Sequence, residues 1–169
     1  RMLSKESQKD RKQYTYVLVG DGDLQEPIAL GAATLAGHWE LSQLIMFYDK
    51  NDIQIAGKTS RCDSTNYGDL FKSMNWDVQE IDGHDHEAIR KAIENAQASD
   101  LPSIIIGNTT IAKGSATLEN TSQSHGAPFS PEEIVGTKQN LGLPEHESFY
   151  CPPQVKEYFQ RNFPSIKEL

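Results

Sequence analysis

The stretch YVLVGDGDLQEPIALGAATLAGHW, residues 16–39, constrains the chain more than any other. Val17, Leu18 and Val19 form the apolar run of a buried parallel strand, and Gly20, Asp21 and Gly22 stop it abruptly. A carboxylate at such a point is costly unless it has a partner. A Gly/Ala-rich helix is expected directly afterwards, from about Pro27 to Trp39, because Pro27 suits a first helical position and Gly37 lies near the stop.

Strand and helix signals then alternate, the pattern of a mostly parallel sheet with helices on both faces, an α/β fold. Further strands are expected at Leu44–Tyr48, in WDVQEIDG (76–83) and in PSIIIGNTT (102–110). The turn-rich DKNDIQIAGKTSRCDSTN leads into a short helix at about Tyr67–Met74. Ala88, Ile89, Ala92, Ile93 and Ala96 give Asp85–Ala98 the spacing of an amphipathic helix. Beyond Thr110 a long Ser/Thr/Asn-rich loop runs to about Phe129, and loops of that length are uncommon unless they serve a function. A helix capped by Ser130 and opened by Pro131 follows, with a last one after Pro153.

Composition narrows the function classes. The 169 residues suffice for one domain and a core, and the formal charge of −8 argues against broad nucleic-acid binding while leaving room for a small anion held locally. No apolar run approaches the roughly 20 residues needed to span a bilayer. The N-terminal residues 1–13 are polar rather than signal-like, a leader or the end of a preceding element, so no membrane association and a cytoplasmic location are expected. Cys62 and Cys151 lack metal-ligand spacing and read as free thiols.

In open parallel sheets ligands gather outside the carboxyl ends of the strands. Asp21 follows the first strand there, Asn51 the second, and TTIAKGS the fourth. One carboxylate and one amide oxygen make a weak site alone, but hard cations complete their shell with water and phosphate oxygens. Gly22 removes a side chain where a phosphate would approach, beside a helix N-terminus. On the GDG alone a tight turn with a locally bonded Asp is the plainer reading; with Asn51 thirty residues later, the features suit a metal that holds a diphosphate.

The ordered segments GDGDLQE, LAGH, FYDKNDIQIAG, IDGHDHEAI, TTIAKGS and SHGAP closely resemble transketolase, in the thiamine diphosphate-binding part of its N-terminal domain, from about Tyr14 to Phe159. The resemblance implies an incomplete thiamine diphosphate-binding fold over residues 14–169. It implies transfer of a two-carbon ketol unit between sugar phosphates of the pentose phosphate pathway, with thiamine diphosphate and magnesium or calcium as cofactors. Asp21, Asn51 and the carbonyl of Ile53 would bind the metal, and Gly22 would present backbone to the diphosphate. Ile55 and Ile111 would lie against the cofactor, and His125 of SHGAP would reach the diphosphate and the sugar. Glu26 would join a carboxylate network between the cofactor sites of a homodimer. Pro27, Ala56 and the AKG at 112–114 depart from the family's frequent residues, and none is a proposed metal ligand.

The activating carboxylate of the family comes from a further domain, and its channel histidines precede the first strand seen here. The chain is therefore expected to need the remaining domains and a second subunit, and to be inactive alone. A deoxyxylulose-phosphate synthase, a pyruvate dehydrogenase component or a non-catalytic interaction domain are the alternatives; SHGAP and LQE favour transketolase. His84 and His86 form an HxH that lacks a third ligand of suitable spacing, and they read as a strand-to-helix loop. His38 should meet the last carbonyls of its helix. Lys113 is either a substrate-phosphate contact or, more plainly, a solvated loop lysine.

Overall fold

A computed structural model describes residues 13–162; most of the polar leader, residues 1–12, lies outside the described residues. Four parallel strands, β1 (Thr15–Gly20), β2 (Leu44–Lys50), β5 (Asp77–Asp82) and β6 (Ser103–Asn108), form one sheet in the order β1-β2-β6-β5. Between β2 and β5 lies a two-stranded antiparallel hairpin of β3 (Ile53–Gln54) and β4 (Gly57–Lys58), which the turn-rich sequence did not announce. The helices are α1 (Asp21–Leu24), α2 (Pro27–His38), α3 (Tyr67–Ser73), α4 (His86–Ala98), α5 (Pro131–Asn140) and α6 (Pro153–Asn162). Among the described residues no helix is long and apolar enough to cross a membrane.

Alternation along the central strands sends side chains to two cores. Ile104 and Ile106 of β6, with Met46 and Tyr48 of β2, pack under α1, α2 and α3 against Leu24, Ala33, Phe71 and Trp76. Ile105 and Ile45 point the other way, onto Ala92 and Ala96 of α4. Polar caps fix where the helices begin: Asn66, Asp85 and Ser130 each accept a backbone N–H from the first turn of α3, α4 and α5.

The first strand is less buried than its apolar run suggests. β1 pairs only with β2 and forms an edge of the sheet, and Leu18 is 83% exposed. α4 packs over β5, β6 and β2 and touches β1 at Tyr16, whose hydroxyl accepts from Gln97 Nε2 at 2.6 Å, while Leu18 stays uncovered. The end of α2 also departs from expectation. Its last carbonyls, those of Leu35, Ala36 and Gly37, accept the backbone N–H groups of Trp39, Leu41 and Glu40, and the exposed His38 side chain makes no hydrogen bond to them.

Register aligns the carboxyl ends of the strands. Gly20 lies opposite Asp49, and Asn108 lies opposite both Lys50 and Asp82. The residues that leave the sheet next, at 21, 51, 83 and 109, therefore emerge along one edge.

Helix α2 packs against the turn between α3 and β5 only because Gly37 carries no side chain. A Cβ there would stand 1.7 Å from the Met74 carbonyl oxygen, while Trp76 Nε1 donates to the Ala33 carbonyl at 2.9 Å across the same contact. Gly37→Ala should destabilise the fold by about 1–3 kcal/mol, the usual range for overpacking. Urea unfolding checks this, and an unchanged midpoint would contradict it.

Candidate functional site

Asp21 is 6% exposed at the end of β1 and has both carboxylate oxygens occupied. The Tyr48 hydroxyl donates to Oδ1 at 2.7 Å, and the Asp52 N–H donates to Oδ2 at 3.1 Å. Burial raises the Asp21 pKa from its ordinary value, opposed by the Tyr48 bond, and the nearby Asp52 charge adds to the rise. Tyr48 is pushed upward in turn by its own burial and by its bond to Asp21. Tyr67 stands edge-on to Tyr48 with ring centroids 5.7 Å apart, and its hydroxyl donates to Asp63 at 2.7 Å. These groups line a polar cleft of about 390 Å³ with Asp52 and Thr59.

Asn51 is half-buried on the far side of the same turn, where its Oδ1 accepts the Ile53 N–H at 3.0 Å. It opens onto a second cleft, of about 600 Å³, shared with Gly20, His84, Thr110 and Ile111. Asp21 and Asn51 thus line neighbouring clefts, joined through the Asp52 N–H. Each acceptor oxygen keeps a second lone pair, since a carboxylate offers about four acceptor sites and an amide oxygen two. Carboxylate and amide oxygens are the hard donors that magnesium and calcium take. No cluster of three or more His, Cys, Asp or Glu suited to a metal occurs among the described residues.

Around Gly22 the space is open: a Cβ built there meets nothing within 4 Å. A phosphate could approach that backbone freely. Ile53 is buried in β3, whereas Ile55 is 78% exposed beyond it. Glu26 is exposed as the residue preceding Pro27 at the start of α2. His125 is exposed, its backbone N–H bonded to the Ser122 carbonyl at 3.1 Å, and it lines neither cleft; Lys113 is exposed as well.

Two residues gain roles that their types alone did not reveal. His84 lines the second cleft, and its Nε2 accepts the Thr110 N–H at 2.8 Å, so that nitrogen is spent on the loop rather than on an HxH metal site. Glu133, buried in the first turn of α5, accepts from the hydroxyl of Ser115 and from both the N–H (2.9 Å) and the hydroxyl (2.7 Å) of Thr117. That carboxylate clasps the long loop. Further bonds order it: Thr109 N–H to the Lys50 carbonyl (3.0 Å), Asn120 N–H to the Ile111 carbonyl (3.0 Å), and Gly114 N–H to Glu119 (2.7 Å). The only signal in the sequence was a Ser/Thr-rich loop followed by paired acids at a helix start.

Residues 2–168 match the family described as transketolase, thiamine diphosphate binding domain. The transketolase of Sinorhizobium medicae is 43% identical over 143 residues, which cover 85% of this chain and 20% of that protein. The crystal structure of transketolase from Campylobacter jejuni superposes with a TM-score of 0.84 at 41% identity, over 87% of this chain and 23% of that one. A Pichia stipitis transketolase variant solved with fructose 6-phosphate superposes at 0.83 with 36% identity, over 88% and 22%. The chain spans about a fifth of the length of the curated relatives it matches.

The Glu133 clasp carries its own pH dependence. Hydrogen bonds from Ser115 and then Thr117 lower its pKa from 4.5 to about 2. A depressed carboxylate contributes stability that is full above its unfolded value and is lost as pH falls through the folded one. Glu133→Gln should therefore destabilise the chain by a constant amount above pH 4.5, and the gap from wild type should narrow as pH falls toward about 2. Unfolding midpoints at pH 7 and pH 3 measure this; a gap of equal size at both would contradict it.

Proposed function

The chain belongs to the transketolase thiamine diphosphate-binding domain family, and from that premise we propose that it forms the diphosphate-holding part of a ketol-transferring enzyme. The substrates are sugar phosphates, between which a two-carbon ketol unit moves. The carrying observation is the junction of two strand ends, where the Asp52 N–H binds Asp21 Oδ2 at 3.1 Å beside Asn51. Asp21, Asn51 and the Ile53 carbonyl hold a divalent metal, magnesium or calcium, which neutralises the diphosphate in a chain of net charge −8.

Thiamine diphosphate supplies the carbanion chemistry when bound. The residues of this chain grip and orient. Gly22 offers unobstructed backbone to the diphosphate, and Ile55 and Ile111 give apolar contacts to the cofactor. His125 donates to the diphosphate or a sugar oxygen from the loop end. Glu26 belongs to the carboxylate network toward a second subunit. The remaining domains and that subunit complete the site.

The test is calorimetric titration of the full protein with thiamine diphosphate in excess magnesium. Asp21→Ala should weaken binding at least about tenfold, the loss of a charge-assisted contact of 1.5–3 kcal/mol, and added magnesium should restore it only partly. Unchanged affinity would remove Asp21 from the metal site. His125→Ala should lower turnover of xylulose 5-phosphate with ribose 5-phosphate while leaving the unfolding midpoint in place. Equal turnover would return His125 to the ordinary surface.

A further inference from the structure

We propose that His84 is a positioning residue of the cofactor cleft, holding Ile111 in place through the backbone of Thr110; this rests on the cofactor reading above. The imidazole is fixed at its base. The His84 N–H donates to Asp82 Oδ1 at 2.8 Å, and the preceding Gly83 N–H donates to the Asn108 carbonyl at 2.8 Å, which ties the end of β5 to the end of β6. On its other side Asp85 caps α4. Gly83 is needed for this approach, because a Cβ there would stand 2.4 Å from Thr109 Cγ2.

From that base the ring spans to the first residues of the long loop. Its Nε2 accepts the Thr110 N–H at 2.8 Å. A backbone nitrogen can only donate, so Nε2 is the bare nitrogen and the proton sits on Nδ1. Thr110 leaves β6 and precedes Ile111, and both line the 600 Å³ cleft together with Asn51. The Ile111 carbonyl in turn accepts the Asn120 N–H at 3.0 Å, so the course of the loop is referred back to this point. Without an acceptor at position 84 the partly buried Thr110 N–H has lost its partner, and the peptide carrying Ile111 is free to turn away. The requirement is for an acceptor at the Nε2 position; the charge and bulk of the side chain are secondary.

Two substitutions separate these properties. His84→Leu keeps apolar bulk and removes the acceptor, whereas His84→Gln can set its amide oxygen where Nε2 stands. In the full protein, thiamine diphosphate affinity at fixed magnesium should fall about three- to tenfold for His84→Leu and stay within about threefold of wild type for His84→Gln, as expected for one net hydrogen bond. Amide hydrogen exchange at Thr110 should accelerate in the Leu variant alone. Equal affinity for both variants, or a Thr110 amide as protected in Leu as in wild type, would overturn the inference. Failure of the wild type to bind cofactor would overturn the functional reading and the cofactor half of this one, while the exchange comparison still decides whether His84 holds Thr110.

Discussion

A buried carboxylate at the end of an edge strand governs this fold's working edge. Asp21 is removed from water, and its cost is offset by two donors drawn from elsewhere in the chain, the Tyr48 hydroxyl on β2 and the Asp52 N–H just beyond it. Because both partners belong to the neighbouring strand and its turn, the carboxylate fastens β1 to β2 at their carboxyl ends. The turn that carries Asn51 is set in the same step. Removing the carboxylate leaves Tyr48 without its acceptor in the core as well as altering the site.

The rest of the edge is organised by the same means, polar side chains reaching between loops that leave the sheet side by side. His84 takes the start of the long loop, and Glu133 clasps its middle through Ser115 and Thr117. The segment from Thr109 onward is thereby ordered by specific bonds, although it contains little regular structure. Such loops hold their shape when the elements beneath them do, and here those elements are β6, β5 and α5, with Ile104, Ile105 and Ile106 buried at the centre.

The layered α/β fold was legible because its signals are local. The Ile104–Ile106 run marks a central strand, Ala92 and Ala96 fall on one helical face, and Pro131 and Pro153 open α5 and α6 where first-turn prolines should. The position of β1 was not legible, since Val17–Val19 reads alike at an edge or in the middle of a sheet. In the site, the spacing of Asp21 and Asn51 was readable from strand ends alone. The partners were not: Tyr48, His84 and Glu133 act on residues 27, 26 and 16–18 positions away, and no periodicity connects such pairs. A buried carboxylate announces that it needs donors without saying which ones.

The most direct measurement is a crystal structure of the full protein with thiamine diphosphate and magnesium. The expected result is one metal ion between the diphosphate and this chain, with an oxygen from each of Asp21 and Asn51 within about 2.0–2.6 Å, the range for magnesium or calcium. A diphosphate bound away from Gly22, with Asp21 still engaged only by Tyr48 and Asp52, would contradict it.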